Sequence, residues 1–596
     1  MSAAAIFQYP SETECLVGGH EYTWRARTRM VSSRENFEVQ VSKGGRWATE
    51  TVVPKEVEAR ALAKKFLADK KCEGARIVRN WMRSDGTMDE TEIFAQTRSV
   101  NDDGPVRIAQ IDEVPEKCET PDEFLGNSGR SVVNRIFRSY LDKAILTPTE
   151  LMHNYKELKR LQEKDTLVPS AVDRVSQLQT KDSDQDSKSR SQEIFKSIDD
   201  ISARARRVEN LQLPKLDGRF SDAIREIRGK AAGEDVDYLA MVLLSRDLIN
   251  ARSWVGKLEF LCKLAVEDSD PHAVELLDGV IADVLGSAVV QEILGWQPGL
   301  GAAICRMFDL ADGKFPTEKS EAGESAVILN RLFGEAKLPI SRACLLDRAH
   351  RQIKSPNPLY RSQEGKELEE LKKLVDRAMT PTGFISGPET AEALTIRYSR
   401  QIEQGGAAGR KATVNGLFRM LPDRALGLIY ICNLAATPWG GDAIADIAEL
   451  VDYCLSARHL GDFCLRSLPP KDKMLRATLA HKTAAATTAL PPAVREKICG
   501  FIDTMLEAYL VTEQIVEKLD HQDSHLRDRA VRLVQFCAAG VLPEGKAMNR
   551  ARQRILALLR QPNFDAHFID GFTDAERAQK ALRDFHVLLV KAGFGG

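Results

Sequence analysis

Residues 235–285 read DVDYLAMVLLSRDLINARSWVGKLEFLCKLAVEDSDPHAVELLDGVIADVL, and this stretch decides the fold of most of the chain. Apolar side chains recur in it three and four positions apart, which is the spacing of one face of an α-helix. The pattern predicts helices over residues 235–250, 252–267 and 273–285. Because short turns rich in Gly, Pro and Asp separate most of the helical patterns in this chain, we expect consecutive helices joined by tight connections.

The same spacing fills the chain from residue 193 onward. Further helices are predicted over 326–333, 367–379, 388–404, 441–457, 492–520, 527–538, 548–560 and 575–592, and the 492–520 pattern is long enough for two helices. No fixed repeat period recurs, so regular solenoid families are not indicated. The predicted fold class is mainly α, an irregular α-solenoid or stacked helical bundles.

Helical patterning also precedes residue 193. Residues 130–145 are amphipathic, and Thr147-Pro148-Thr149-Glu150 has the form of a capping box with proline at the first helical position. Residues 181–192 then contain no apolar side chain and have nothing to bury. The sequence therefore predicts a helical segment over 130–180 and a polar linker over 181–192.

The first hundred residues alternate with a period of two instead. Strands are predicted at 24–30, 37–41, 46–49, 77–82 and 91–95, with a helix over 55–70. The order β-β-β-α-β-β predicts a small α+β domain with an antiparallel sheet and one covering helix. Three arginines share one face of the first predicted strand, and neighbouring acidic residues favour cross-strand ion pairs over a binding role for Arg25, Arg27 and Arg29.

The predicted domain organisation begins with an α+β domain over 1–100, a connector over 101–129 and a helical segment over 130–180. A polar linker over 181–192 and a large helical region over 193–596 follow, and two subdomains are one option for that last region.

Composition and cysteine usage restrict the class of protein. The 596 residues carry 84 Lys and Arg against 86 Asp and Glu, which excludes a strongly basic scaffold as a description of the whole chain. Eleven cysteines are scattered without a Cys-x-x-Cys pair, a pattern that favours a reducing compartment. The start of the chain lacks a basic n-region, and the longest apolar run, 425–436, is too short to span a bilayer. We expect a cytoplasmic protein without membrane insertion.

Three spacings superficially match metal sites. The spacing of the carboxylates at positions 1, 3, 5 and 12 of a calcium loop is matched by Asp182, Asp184, Asp186 and Glu193. However, Ser187 replaces the glycine that makes the sharp turn of such a loop. His521 and His525 are four residues apart, which places them on one helix face if the helix is continuous there. The third spacing is Cys454-x4-His459-x4-Cys464. Each set is incomplete, so no metal, cofactor or catalytic residue is assigned.

The most usable functional feature is a basic segment near the C-terminus. Residues 526–560 hold eight basic side chains against two acidic ones, a local charge of +6 in a nearly neutral chain. Such a patch attracts phosphates or an acidic protein surface, although charge runs more often form a solvated helix face. The candidate residues for an anionic partner are Arg527, Arg532, Lys546, Arg550 and Arg554.

These features favour a non-catalytic interaction or regulatory scaffold built on a helical array, because such arrays present extended surfaces to protein partners. The first alternative is a nucleic-acid-binding protein that uses the basic helices over 526–560. The second alternative is an enzyme whose site assembles from distant residues. The oligomeric state has no signature in the sequence.

Overall fold

The computed structural model describes most of the chain in two compact units, Met1–Gly104 and Pro105–Gly596. The described residues are 35–43, 46–68, 74–82, 88–97, 108–109, 111, 113–164, 166–230, 235–320, 322–360, 364–403 and 405–594. The predicted strand at 24–30, with Arg25, Arg27 and Arg29, lies outside them.

The first unit is an antiparallel sheet covered by one helix. Its elements are β1 (Glu35–Lys43), β2 (Arg46–Val53), α1 (Glu56–Ala68), β3 (Gly74–Met82) and β4 (Met88–Thr97), with the strands in the order β2-β1-β3-β4. Alternate side chains of the two central strands are buried and form the core together with two alanines of α1. These residues are Phe37, Val39, Val41, Ala75, Ile77, Ala59 and Ala63. The prediction of a small antiparallel sheet with a covering helix is confirmed.

The second unit is a helical array. Its first part contains α2 (Pro121–Leu125), α3 (Asn127–Ile136), α4 (Arg138–Ala144), α5 (Pro148–His153), α6 (Tyr155–Gln162), α7 (Leu167–Thr180), α8 (Ser187–Val208), α9 (Phe220–Lys230), α10 (Val236–Leu248), α11 (Trp254–Glu267) and α12 (Pro271–Leu285). Its second part contains α13 (Val289–Leu294), α14 (Leu300–Ala311), α15 (Glu324–Gly334), α16 (Pro339–Lys354), α17 (Glu367–Ala378), α18 (Pro388–Ser399), α19 (Gly406–Met420), α20 (Arg424–Ala435) and α21 (Pro438–Gly441). Its last part contains α22 (Ile444–Leu455), α23 (Leu460–Phe463), α24 (Pro470–Ala486), α25 (Pro492–Thr512), α26 (Ile515–Leu519), α27 (Leu526–Ala538), α28 (Lys546–Leu559), α29 (Phe564–Ile569) and α30 (Ala575–Leu589).

Most helices pack against helices that are close to them in the sequence. Examples are α11 on α12, α18 on α19 and α20, α24 on α25, and α27 on α28. Packing of near neighbours is the pattern of a helical array. One large apolar core joins most of the described helices of the unit, and a second, smaller core contains residues of α3 to α8. The mainly helical fold class is therefore confirmed. A two-residue strand pair, Met379–Thr380 with Gly383–Phe384, follows α17 and was not predicted.

Local chemistry explains where several helices begin. The predicted capping box is present, because Thr147 accepts from the backbone N–H of Glu150 and the Glu150 carboxylate accepts from the backbone N–H of Thr147. Aspartates cap α10, α12 and α20 in the same position. The pattern over 492–520 forms two helices, since the chain turns at Gln514, whose φ is 50°.

The segment predicted as a polar linker differs from the expectation. Helix α8 begins at Ser187, inside that segment, and Arg190 is only 2% exposed. The Arg190 guanidinium donates to the Gln179 side chain at 2.8 Å, to the Cys118 carbonyl at 2.7 Å and to Glu193 at 2.9 Å. A segment without apolar residues is thus packed through one arginine, and each of the three guanidinium nitrogens of that arginine donates a hydrogen bond.

Among the described residues, no helix combines the length and apolar character needed to cross a bilayer.

Candidate interaction site

An open groove of about 700 Å³ lies where α19 ends, α20 begins and α22 and α23 pass beside them. Its lining is about half polar and half apolar. We call it the arginine–tyrosine groove, and it is lined by Asn415, Phe418, Arg419, Leu421, Pro422, Asp423, Arg424, Glu449, Leu450, Tyr453, Gly461, Asp462, Cys464, Leu465 and Arg466.

An aromatic ring stacked under an arginine forms one wall of the groove. Tyr453 of α22 is 50% exposed, and its ring meets the buried Phe418 ring edge-on, with 5.9 Å between the ring centroids. The Arg424 guanidinium lies over the other part of the Tyr453 ring, 4.4 Å from its centroid, and donates to the Ser456 hydroxyl at 3.2 Å. These contacts fix both side chains in place before a partner binds.

One buried carboxylate holds the groove together. Asp423 caps α20 by accepting from the Leu426 N–H at 2.9 Å, and it also accepts from the Leu465 N–H at 3.0 Å. The same carboxylate pairs with Arg476 of α24, and the Asp423 side chain is 4% exposed. Asp423 therefore joins three segments of the groove, and its charge is neutralised from within the protein.

The other acidic residues of the groove are also paired. Glu449 accepts from Lys411 at 2.7 Å, and Asp462 accepts from Arg466 at 3.1 Å. The hydrogen bond from Arg466 lowers the pKa of Asp462. In contrast, no carboxylate of the described residues lies within ion-pairing distance of Arg419 or Arg424.

The two unpaired arginines give the groove a local excess of positive charge. Arg419 is exposed on the last turn of α19, and Arg424 occupies the first turn of α20. Leu465, which is 41% exposed, adds an apolar contact point on the other side. Tyrosine and arginine, with an apolar neighbour, are the residue types that are enriched where protein partners bind most strongly.

The Cys454, His459 and Cys464 spacing falls at this groove without forming a metal site. The thiols of Cys454 and Cys464 donate to different backbone carbonyls, those of Arg424 and Lys473, at 3.5 Å. Burial raises the pKa of both thiols to about 12, so they remain protonated and are poor metal ligands. His459 points to solvent beside Asp462.

The other two metal-like spacings also do not assemble. His525 is the N-cap of α27, and His521 lies in the turn before it, so the expected shared helix face does not exist because the helix is interrupted. In the calcium-like spacing, Asp186 caps α8 and Glu193 lies on that helix, bonded to Arg190, so no twelve-residue loop forms. Within the described ranges no group of three metal-ligating side chains comes together.

The predicted basic surface is largely paired within the protein. Arg554 pairs with Asp520, whose side chain is fully buried and also accepts from Arg529 at 2.8 Å. Arg550 pairs with Glu517 at 3.1 Å. Both acids precede residues 526–560, whose own side chains carry a local charge of +6. The exposed charge of this surface is therefore lower than that count indicates.

The remaining predicted residues have different environments. Arg527 lies over the Phe572 ring, 4.4 Å from its centroid, and Arg532 donates to the backbone carbonyl of Asp528 at 3.1 Å. Lys546 begins α28, where its backbone N–H donates to Asp503 at 2.7 Å and its side chain is exposed. Arg527 and Arg532 lie on α27, and the other three lie on α28. Binding of an anionic partner by these five residues stays a prediction.

Sequence reasoning did not find the arginine–tyrosine groove, because its main residues come from three helices. Phe418 and Arg419 end one helix, Arg424 begins the next, and Tyr453 belongs to a third. Two local signals were present: Asp423 is in the N-cap position of α20, and Tyr453 lies on the polar side of the amphipathic helix α22. Neither signal shows that α20 and α22 lie side by side.

No protein-family model matches the chain, and neither a curated protein nor a solved structure is similar to it.

Proposed function

We propose that the protein is a cytoplasmic, non-catalytic interaction protein whose helical array presents the arginine–tyrosine groove to an acidic segment of a protein partner. The observation that carries the proposal is the pairing of a half-exposed tyrosine, Tyr453, with Arg424 beside the unpaired Arg419. This combines an aromatic anchor with positive charge that no described carboxylate neutralises.

The charge of the groove selects the chemistry of the partner. Arg419 and Arg424 flank an open space whose acidic residues are already bonded to Lys411, Arg466 and Arg476. A segment with Asp or Glu side chains would gain charge-assisted hydrogen bonds from both arginines. A basic segment would gain less, because each acidic group of the groove already has a cationic partner.

The shape of the groove supports a peptide rather than a small metabolite. It is open along its length, and its walls combine the Tyr453 ring, the Leu465 side chain and hydrogen-bonding groups. A large apolar or aromatic side chain of the partner can cover Tyr453 and Leu465, while neighbouring acidic side chains reach the arginines. In most interfaces, a small number of such contacts supply most of the binding free energy.

The proposal is tested by panning a displayed library of random peptides on the full-length protein. We expect the enriched peptides to share a cluster of Asp or Glu next to an aromatic or large aliphatic residue. Tyr453→Ala should weaken their binding by at least about tenfold, the size of effect that loss of a binding hot spot produces. The same change should lower the thermal stability only modestly, since the side chain is half exposed although it packs against Phe418.

A matched control separates the groove from general charge effects. Arg583 of α30 is exposed and belongs to a different helix, so Arg583→Glu changes the total charge as Arg419→Glu does. Peptide binding should fall in Arg419→Glu and persist in Arg583→Glu. Enriched peptides without acidic residues, or equal binding by the two variants, would show that the proposal is wrong.

A further inference from the structure

A second feature of the helical array is an apolar cavity of about 110 Å³ enclosed by α2, α3, α5, α6, α7 and α8. Its walls are almost entirely hydrocarbon, with Phe124, Val133, Leu151, Leu161, Val175 and Ile198 among them. Val175 of α7 and Ile198 of α8 are only partly buried, and so are Phe124 of α2 and Val133 of α3, so the cavity reaches solvent between these helices.

Two polar groups at the edge of the cavity, those of Gln179 and Glu116, are bonded within the protein. The Gln179 amide donates to the carbonyls of Pro115 and Glu116 at 3.2 and 3.0 Å, and its oxygen accepts from Arg190 at 2.8 Å. The Glu116 carboxylate accepts from the Ser128 hydroxyl. Glu116, the one charged residue among those that line the cavity, is exposed at its edge, so a charged or strongly polar ligand would lose its hydration inside without a compensating partner.

The wall formed by α5 is held in place from its other side. Leu151 and Met152 face the cavity, whereas Glu150 forms a fully buried ion pair with Lys257 of α11. The backbone N–H of Thr149 also donates to Asp283 of α12 at 3.1 Å. Both contacts anchor α5 to α11 and α12, and they oppose an inward movement of α5 into the space.

From these observations we infer that the cavity is a binding site for a small uncharged apolar molecule, such as an aromatic ring or a short hydrocarbon group. An apolar cavity of about 150 Å³ in a protein stays dry and binds benzene or xenon, and this cavity has about three quarters of that volume. Filling it removes apolar surface from water on both the ligand and the protein.

The test uses fluorobenzene as the probe and the full-length protein, with binding followed by fluorine NMR. We expect saturable binding to the unmodified protein and an increase in its unfolding temperature as the probe concentration rises. Val175→Phe places a ring in the open side of the cavity and should weaken binding by at least about tenfold. Val327→Phe is the matched control, because Val327 is 52% exposed on α15, away from the cavity walls.

A second variant keeps the test decisive if Val175→Phe does not fold. Ala171→Leu adds a smaller group to the cavity wall and should also reduce binding, with helical circular dichroism as the check on folding. The inference is wrong if the unmodified protein shows no saturable binding up to the solubility of fluorobenzene. It is equally wrong if the folded cavity variant binds the probe as well as Val327→Phe does.

Discussion

The buried ion pair between Glu150 and Lys257 allows the sharpest prediction about stability. Lys257→Met keeps the volume and apolar stem of the side chain but removes its ammonium group. Neither side chain of the pair is exposed beyond 1%, and the Lys257 ammonium also donates to the Leu248 carbonyl at 2.7 Å. The variant therefore leaves the Glu150 carboxylate in the interior with only the neutral donors of Thr147.

The magnitude follows from the burial of both groups. Removing one partner of a buried ion pair leaves an uncompensated charge and costs about 3–5 kcal/mol. Since about 1.4 kcal/mol corresponds to a factor of ten, amides of α11 that exchange through local opening should exchange about one hundred to several thousand times faster. Hydrogen exchange of the full-length protein, followed by mass spectrometry over Trp254–Glu267, measures this change.

The loss should depend on pH. Burial already raises the pKa of Glu150 above its usual value of 4.5, and the positive charge of Lys257 opposes that shift. In Lys257→Met the opposing charge is gone, so the pKa of Glu150 rises further. The folded state then holds a proton that the unfolded state releases, and the stability of the variant should decrease as the pH rises above about 4.5.

The double variant Glu150→Gln/Lys257→Met is the control, because it removes both charges and keeps an amide that can bond to the Thr147 backbone. It should recover most of the lost stability and show no comparable dependence on pH. A loss below about 1 kcal/mol in Lys257→Met, with no dependence on pH, would refute the assignment of a buried ion pair.

Three further predictions concern other parts of the helical array. Arg554→Glu should lower the free energy of unfolding by about 2 kcal/mol or more, measured by urea denaturation, because it places a second negative charge beside the buried carboxylate of Asp520. Trypsin should cut the folded protein after Lys181, which is exposed, well before it cuts after Arg190, which is buried and helical. Burial lowers the pKa of His153 to about 3, so between pH 6.5 and pH 3 the unfolded state binds a proton that the folded state does not bind. The free energy of unfolding should therefore fall as the pH falls through this range, and His153→Gln should reduce that fall in acid titrations.

Each of these predictions has a control and a contradicting result. Arg560→Glu is the control for Arg554→Glu, because Arg560 is exposed just beyond α28 and its reversal should alter stability by no more than about 0.5 kcal/mol. Equal losses of stability in Arg554→Glu and Arg560→Glu would contradict the pairing of Arg554 with Asp520. Cleavage after Arg190 as early as after Lys181 would mean that the start of α8 is not packed. An unchanged acid titration in His153→Gln would mean that His153 is accessible to protons in the folded state.

The sequence predicted the features that depend on neighbouring residues. Thr147, Pro148 and Glu150 form their capping box because all of the groups involved lie within four positions of one another. The helical periodicity of residues 235–285 predicted α10, α11 and α12, because this pattern also depends only on residues three and four positions apart. Such local agreement between side-chain chemistry and backbone geometry explains why the mainly helical fold class could be read from the chain alone.

Features that depend on distant residues could not be predicted. Arg190 is polar and stands among polar residues, and its burial depends on Cys118, which is 72 positions away. The exposed charge of the basic helices also depends on distant residues, because Glu517 and Asp520 lie before residues 526–560 and pair with arginines of that segment. The arginine–tyrosine groove requires three helices to meet, and no spacing along the chain indicates which helices do so.

The most direct test of the proposed function is the affinity of one enriched acidic peptide for the full-length protein and for its Arg419→Glu/Arg424→Glu variant. Isothermal titration calorimetry at low and at moderate salt gives both affinities. We expect the variant to bind at least about a hundredfold more weakly at low salt, because reversing two charges at a complementary surface costs several kcal/mol. The difference should shrink as salt screens the arginines. Equal affinities at low salt, with both proteins folded, would contradict binding of an acidic partner in the arginine–tyrosine groove.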